Sequence, residues 1–359
     1  MIRVGFVLPH LRPGGAERCV VNWLGALDRT RFRPFLFLKR VEGAFLDLLP
    51  DDVTPVALGG ARAARLPGAI AAALDAARID VAYSATNAMN LALLAARTQA
   101  RWIVSEHTSP AAYLAEAKLP LLRRWAMRRF YPRADAVAVP TERIAAELRA
   151  TLARPMETVV LPNPVIAGTP LPRQVARDGV FRILSAGRLV PAKGYDTLID
   201  AAALLAGQGL DFRIDIRGEG ALRGDLLARI TAAGLAGRVE VAGYGDLAQP
   251  MAAADLFVLA SRREGFGNVI VEAMAAGLPV LATATDGPAG LIDDGHTGWL
   301  VPPENPQALA GAIARIAADP GRDRVVLPAR EVAARYTVPA ATRAFEALVA
   351  RVAARSTAA

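Results

Sequence analysis

Phe181-Arg182-Ile183-Leu184-Ser185-Ala186, running into Gly187-Arg188-Leu189-Val190-Pro191-Ala192-Lys193-Gly194, decides how the chain folds. The first six residues are mainly apolar and read as a strand, and the next eight hold two glycines and a proline, which is turn chemistry. Tyr195–Ala206 then carries the apolar spacing of a helix. Strand, glycine-bearing turn and helix in that order make a βα unit, the repeat from which parallel sheets are built.

The same rhythm extends in both directions. Downstream, strands are expected at Phe212–Arg217, Arg238–Ala242, Asp255–Leu259, Pro279–Ala282 and Gly298–Val301, with helices between them. Upstream, they are expected at Arg3–Leu8, Pro34–Leu38, Val81–Ser84, Arg101–Ser105, Ala136–Val139 and Thr158–Leu161, with helices at Ala16–Leu27, Leu66–Ala77 and Glu142–Thr151. Ile166–Asp178 breaks the rhythm with Gly168, Pro170 and Pro172 and reads as an interdomain linker. The fold class is α/β, with one doubly wound parallel sheet over residues 1–168, a linker over 169–178 and a second sheet over 179–337. Open parallel sheets bind ligands beyond the carboxyl ends of their strands, so two facing units leave a cleft lined by βα loops.

Composition narrows the function classes. The chain has 359 residues, 53% hydrophobic and 21% charged, enough for two packed cores. Cys19 has no second cysteine to pair with, which favours a reducing compartment. No apolar run reaches 18 residues, and Met1–Pro9 enters a strand with no leader pattern, so a cytoplasmic location is expected. Of the 42 basic residues behind the net charge of +8, three are lysines and the rest arginines. That bias follows general composition rather than a nucleic-acid interface, and no nucleic-acid partner is expected. It singles out Lys193 as a place where a compact ammonium is wanted.

Three loops suit an anion. Pro9-His10-Leu11-Arg12-Pro13-Gly14-Gly15-Ala16-Glu17 follows the first strand and opens a helix, so Gly14 and Gly15 bring amides to a helix amino terminus. The Gly187 loop adds two cations, Arg188 and Lys193; the alternative is an exposed basic turn. Fixed cations there would stabilise a departing diphosphate. Arg217-Gly218-Glu219-Gly220-Ala221-Leu222-Arg223-Gly224 imitates a dinucleotide fingerprint, with Glu240 about twenty residues on. Its last glycine comes one residue late, and the loop belongs to the second rather than the first βα turn of its unit. This leaves an oxidoreductase as a weaker competitor.

After the strand Asp255–Leu259 come Glu264-Gly265-Phe266-Gly267-Asn268 and a helix Val269–Ala276 carrying Glu272. Two carboxylates beside one helix amino terminus can accept hydrogen bonds from sugar hydroxyls, and the glycines clear room for a ligand. The bland alternative is two solvated acids flanking a helix start. In combination, Gly14-Gly15-Ala16-Glu17, the Gly187-Arg188…Lys193-Gly194 loop, and Glu264-Gly265-Phe266-Gly267 with Glu272 resemble glycosyltransferase family 4, a retaining family of the GT-B fold. The likeness continues through Ala275–Val280, Gly287-Pro288 and Gly295…Gly298-Trp299-Leu300-Val301-Pro302.

The resemblance implies roles. Arg188 and Lys193 hold the donor diphosphate, helped by amides near Gly14, Gly15, Gly187 and Gly218. Glu272 receives the ribose hydroxyls and Glu264 those of the transferred sugar. Gly265, Phe266, Gly267, Asn268 and Val269 bring the helix terminus to the donor. His107, in Ser105-Glu106-His107-Thr108, matches the family's sugar-contacting histidine, although the family often has another residue where Thr108 stands. Asn163-Pro164 replaces the family's frequent Asn-Gly turn.

Also implied are a front-face retaining transfer of a hexosyl or N-acetylhexosaminyl group from a nucleoside-diphosphate sugar, with UDP favoured, and a last segment 338–359 packing back on the first domain. No metal or cofactor is required, since Arg188, Lys193 and helix dipoles can neutralise the diphosphate and no Asp-x-Asp triplet occurs. The acceptor would be a glycan or lipid-linked saccharide, as in polysaccharide or lipopolysaccharide assembly. Alternatives are a sugar-nucleotide epimerase or hydrolase of the same fold, or a non-catalytic sugar-nucleotide-binding subunit. Finally, Leu119–Pro132 sets Arg123, Arg124, Arg128 and Arg129 among Leu121, Leu122, Trp125, Met127, Phe130 and Tyr131. One reading is a peripheral contact with the inner face of an anionic plasma membrane. The other, slightly favoured by frequency, is an amphipathic helix that packs its apolar side into the core.

Overall fold

The computed structural model describes residues 1–59, 65–108, 110, 113, 114, 117–174, 176 and 178–355. Two compact units divide the chain. One holds Met1–Ala167 and the chain from Tyr336 onward; the other holds Gly168–Arg335.

In the first unit, β1 (Ile2–Leu8), α1 (Gly15–Ala26), β2 (Phe32–Leu38) and β3 (Pro55–Ala57) are followed by α2 (Leu66–Ala76), β4 (Val81–Ser84) and α3 (Asn87–Ala95). Next come β5 (Arg101–Ser105), α4 (Pro120–Phe130), β6 (Ala136–Val139), α5 (Glu142–Leu152) and β7 (Thr158–Val160). The strands lie in the order β3-β2-β1-β4-β5-β6-β7 and pair in parallel. The chain therefore starts mid-sheet, winds out one way and returns to wind the other. Its topological switch falls between β1 and β4, where loops diverge and leave space for a ligand.

The second unit repeats the plan: β8 (Phe181–Ala186), α6 (Tyr195–Gly207), β9 (Phe212–Arg217), α7 (Arg223–Ala232), β10 (Val239–Ala242), α8 (Ala248–Ala253), β11 (Leu256–Leu259), α9 (Asn268–Ala276), β12 (Val280–Thr283), α10 (Asp286–Leu291), β13 (Trp299–Val301), α11 (Pro306–Ala318) and α12 (Val326–Ala333). Its strand order is β10-β9-β8-β11-β12-β13, again parallel, with the switch between β8 and β11. The expected α/β class with two doubly wound parallel sheets is what the chain forms. The strands read as apolar runs because both faces are covered: all four positions of β11 and of β12 are buried.

Residues 168–174 travel with the second unit rather than standing free. The Gln174 amide donates to the Ala252 carbonyl, and Arg173 pairs with Asp323 at 2.9 Å. Proline and glycine mark where regular structure stops, but they do not say which neighbour the backbone bonds to. Residues 175 and 177 of the expected linker lie outside the described residues.

After α12 the chain pairs with its own outgoing stretch, Ile166 bridging Thr337, and α13 (Val338–Ala354) then docks on the first unit. Phe345 is fully buried there, stacked on Trp23 at 4.6 Å and lying edge-on to Tyr83 at 5.4 Å. Residues 356–359 of the expected last segment lie outside the described residues.

Helix α4 departs from the more frequent of its two readings. Met127 is its one buried residue, while Leu121 is 82% and Trp125 59% exposed, and Leu119 and Leu122 are exposed with them. At about 100° per residue, Leu121 and Trp125 stand on the side opposite Met127. Met127 and Tyr131 reach the core and Phe130 packs against it, while Leu121 and Trp125 do not, so the apolar residues form two faces rather than one.

Candidate functional site

The site is clearest at the switch point of the second unit. β8 ends at Ala186, and a 3-10 turn over Pro191–Lys193 leads through Gly194 into α6. Gly194 has φ of 63°, and a Cβ there would sit 2.1 Å from the Ala260 carbonyl oxygen, so only glycine lets this turn press against the end of β11. That pressing joins two loops distant in sequence. The backbone amide of Arg262 donates to the Ala192 carbonyl, and the Arg262 guanidinium bonds the Pro191 carbonyl at 2.9 Å and Asp196 at 2.8 and 2.7 Å. Glu304 takes a further guanidinium bond at 2.9 Å.

Clamped in this way, Lys193 extends its ammonium to the Glu264 carboxylate, with the side chains 17% and 15% exposed. Ser261 Oγ lies 3.5 Å from the same carboxylate oxygen. The Gly287 amide donates to the Glu264 carbonyl at 2.9 Å and pins the loop from behind. A cation and an acid are thus held side by side where two parallel strands diverge, an arrangement able to engage phosphate and hydroxyl groups together.

The other expected residues fall around this pair. Gly265 is half-buried, Phe266 is buried and Gly267 is the cap residue of α9, whose first turn contains Asn268, Val269 and, further along, the half-buried Glu272. Arg188 is exposed, and its side chain makes no ion pair among the described residues. Gly218 lies beneath the loop: its added Cβ would fall 1.9 Å from the Gly187 carbonyl oxygen. With the Leu189 amide bonded to the Glu219 carbonyl at 2.8 Å, the fingerprint-like loop serves as a backbone support for the Gly187 loop. Glu240 lies exposed on β10. In the first unit, α1 begins at Gly15 with Gly14 as its cap. A Cβ on Gly14 would lie 2.2 Å from a Glu17 carboxylate oxygen. An acid of the chain's own beside those amides weakens the turn's attraction for another anion.

His107 follows β5. Its Nε2 lies 3.1 Å from Ser105 Oγ and 3.5 Å from Tyr83 Oη, and burial lowers its pKa to about 4, so the ring is neutral at ordinary pH.

Sequence reading passed over the residue next to it. Glu106 is buried and takes bonds from Tyr131 Oη and from Asn87 and Asn90 Nδ2, each amide at 3.1 Å. Ser84 Oγ donates to Asn90 at 2.6 Å. Burial raises the Glu106 pKa despite these donors. Two asparagines three apart in an otherwise apolar helix were the available signal, because such amides survive burial only with partners. Arg262, Ser261 and Tyr195 also escaped notice, since their roles depend on which loops meet.

Sucrose-phosphate synthase from Thermosynechococcus elongatus superposes with a TM-score of 0.82 at 22% identity, over 99% of this chain and 100% of that one. HepE from Anabaena, solved in complex with UDP and glucose, gives 0.81 at 23% identity, over 98% and 100%. The architecture is that of the GT-B glycosyltransferases. In sequence, residues 13–167 match Glycosyltransferase Family 4 and residues 171–332 match Glycosyl transferases group 1. The alpha-D-kanosaminyltransferase of Streptomyces kanamyceticus is 33% identical over 262 residues, 67% of each chain. The lipopolysaccharide core glycosyltransferase LpsE of Rhizobium meliloti is 41% identical over 138 residues, 38% of this chain and 39% of that protein. The chain belongs to glycosyltransferase family 4.

Proposed function

We propose that this protein is a retaining glycosyltransferase that moves a hexosyl or N-acetylhexosaminyl group from a nucleoside-diphosphate sugar, UDP-linked, to a glycan or lipid-linked saccharide. The observation that carries the proposal is the Lys193–Glu264 pair at the β8/β11 switch point. In this reading Lys193 and Arg188 bind the diphosphate, Glu264 accepts hydroxyls of the sugar, Glu272 accepts those of the ribose, and His107 supplies a neutral imidazole to the sugar. The acceptor hydroxyl attacks the anomeric carbon on the face the phosphate leaves; its proton passes to the departing phosphate oxygen, and the sugar–phosphate bond breaks. Fixed cations and helix amides stabilise the charge that develops, so no metal is invoked. The complex of HepE with UDP and glucose supports the choice of donor, and LpsE supports a bacterial glycan acceptor.

Helix α4 and its flanks favour an acceptor at a lipid surface. Ala117–Ala134 contains Lys118, Arg123, Arg124, Arg128, Arg129 and Arg133 and no acid, beside the exposed Leu119, Leu121, Leu122 and Trp125. Basic and apolar residues together on one exposed helix fit the interface of an anionic bilayer. No helix among the described residues is long and apolar enough to cross a membrane.

A thermal-shift panel of UDP, GDP, ADP and their sugar conjugates, with and without magnesium, tests the donor site. A metal-independent shift with UDP and one UDP-sugar is expected. No shift with any nucleotide, well above micromolar concentration, would remove the donor reading. Product analysis then separates transfer (a new glycoside) from epimerisation or hydrolysis (an altered donor) and from binding alone.

A further inference from the structure

Tyr195 opens α6, two residues after Lys193, with its side chain 2% exposed. Its hydroxyl has no hydrogen-bond partner among the described residues. A phenylalanine would fill the same volume without stranding a buried donor, so the hydroxyl calls for an account. Its position suggests one. A Cβ built on Gly187 would lie 3.1 Å from Tyr195 Oη and 3.3 Å from Lys193 Cε, so the phenol and the lysine stem share the underside of the Gly187 turn. The lysine ends on Glu264, and the Glu264 charge adds to burial in raising the Tyr195 pKa.

A Lys193 ammonium drawn toward a diphosphate holds Glu264 less tightly, just when that carboxylate must be aimed at the sugar. Ser261 Oγ, at 3.5 Å, is a weak substitute. We propose that Tyr195 is a positioning residue for Glu264: once the diphosphate draws Lys193 away and the sugar hydroxyls draw the carboxylate forward, its hydroxyl donates to Glu264. The inference rests on the donor-site reading above and adds to it a residue whose hydroxyl is engaged only when sugar and diphosphate are both bound.

Tyr195→Phe tests it, alone and combined with Glu264→Gln, by melting temperature and by calorimetric titration with UDP, UDP-glucose and UDP-N-acetylglucosamine. The melting temperature of Tyr195→Phe should equal or exceed that of wild type, and UDP affinity should stay within about twofold. Affinity for the UDP-sugar bound by wild type should fall about five- to tenfold, the scale of one hydrogen bond to a charged group. In the Glu264→Gln background the same change should cost much less, showing that the two groups are coupled. Unchanged UDP-sugar affinity, an equal loss for UDP alone, or full additivity would overturn the proposal. A lowered melting temperature would do so too, by showing that the hydroxyl already holds the fold together. If wild type binds no nucleotide, the donor reading itself fails and takes this inference with it.

Discussion

Lys193 and Glu264 are each only partly open to solvent, and each answers the other's charge, so removing either should affect chemistry more than folding. We expect Lys193→Ala and Glu264→Ala to lower turnover by about 10²- to 10³-fold, the scale seen when a fixed electrostatic group is lost. UDP release in the presence of acceptor is the measurement, and wild-type turnover in either variant would remove that residue from the site. His107 and Glu106 make opposite contributions to the pH dependence of stability. The folded state holds His107 at a pKa of about 4, below the ordinary 6.5, so the unfolded chain takes up the proton first. Its contribution is present above 6.5 and lost as pH falls toward 4. Glu106 is raised, so its contribution is present at acid pH and lost as pH rises through its folded-state value. Glu106→Gln keeps an acceptor for Tyr131 without the buried charge. Melting temperatures across pH 5 to 8 should show the variant losing less stability toward alkaline pH than wild type. Lys193 and Glu264 were legible as motif residues because they lie at ends of readable strands. Tyr195 was not, because a tyrosine at a helix start looks like ordinary core until the atoms around its hydroxyl are known.

At the scale of elements, the two candidate surfaces differ in how they are built. The Pro191–Lys193 turn is rigid because Gly194 lets it touch Ala260 and Arg262 bonds its carbonyl. Gly194→Ala is expected to separate the Lys193 and Glu264 loops, abolishing the UDP-induced melting shift while leaving a folded protein by circular dichroism. Helix α4, by contrast, is anchored through Met127 and Phe130 and by the Arg124 bond to the Thr151 carbonyl, and it exposes Leu121, Leu122 and Trp125. Leu121→Ser with Trp125→Ser should reduce co-sedimentation with anionic vesicles at low salt several-fold and leave the melting temperature close to wild type. Equal sedimentation would dismiss the lipid surface. The arginine and leucine pattern of α4 was visible in the sequence, but a helix of this composition can point either face inward. Met127 and Tyr131 took the core side because Tyr131 meets Glu106, Asn87 and Asn90 there.

Across the whole molecule, the last helix belongs to the unit that the chain left about 170 residues earlier. Phe345 sits among Phe6, Trp23 and Tyr83, so that cluster needs both ends of the chain. Phe345→Ala is expected to cost about 3–5 kcal/mol, as for other large-to-small core changes, with a matching fall in melting temperature. A change under about 1 kcal/mol would mean the helix is not part of that core. By itself the sequence determined the fold class, the order of strands and helices apart from the three-residue edge strand β3, too short to show a period, and the loops that carry charge. Those depend on local periodicity and on glycine and proline, which act over a few residues. Only the tertiary structure decided that Lys193 reaches Glu264, that Gly218 supports Gly187, that α4 exposes its tryptophan and that Phe345 completes the first core. Each of these joins residues tens to hundreds of positions apart, and no short-range pattern records which distant surfaces will exclude water together.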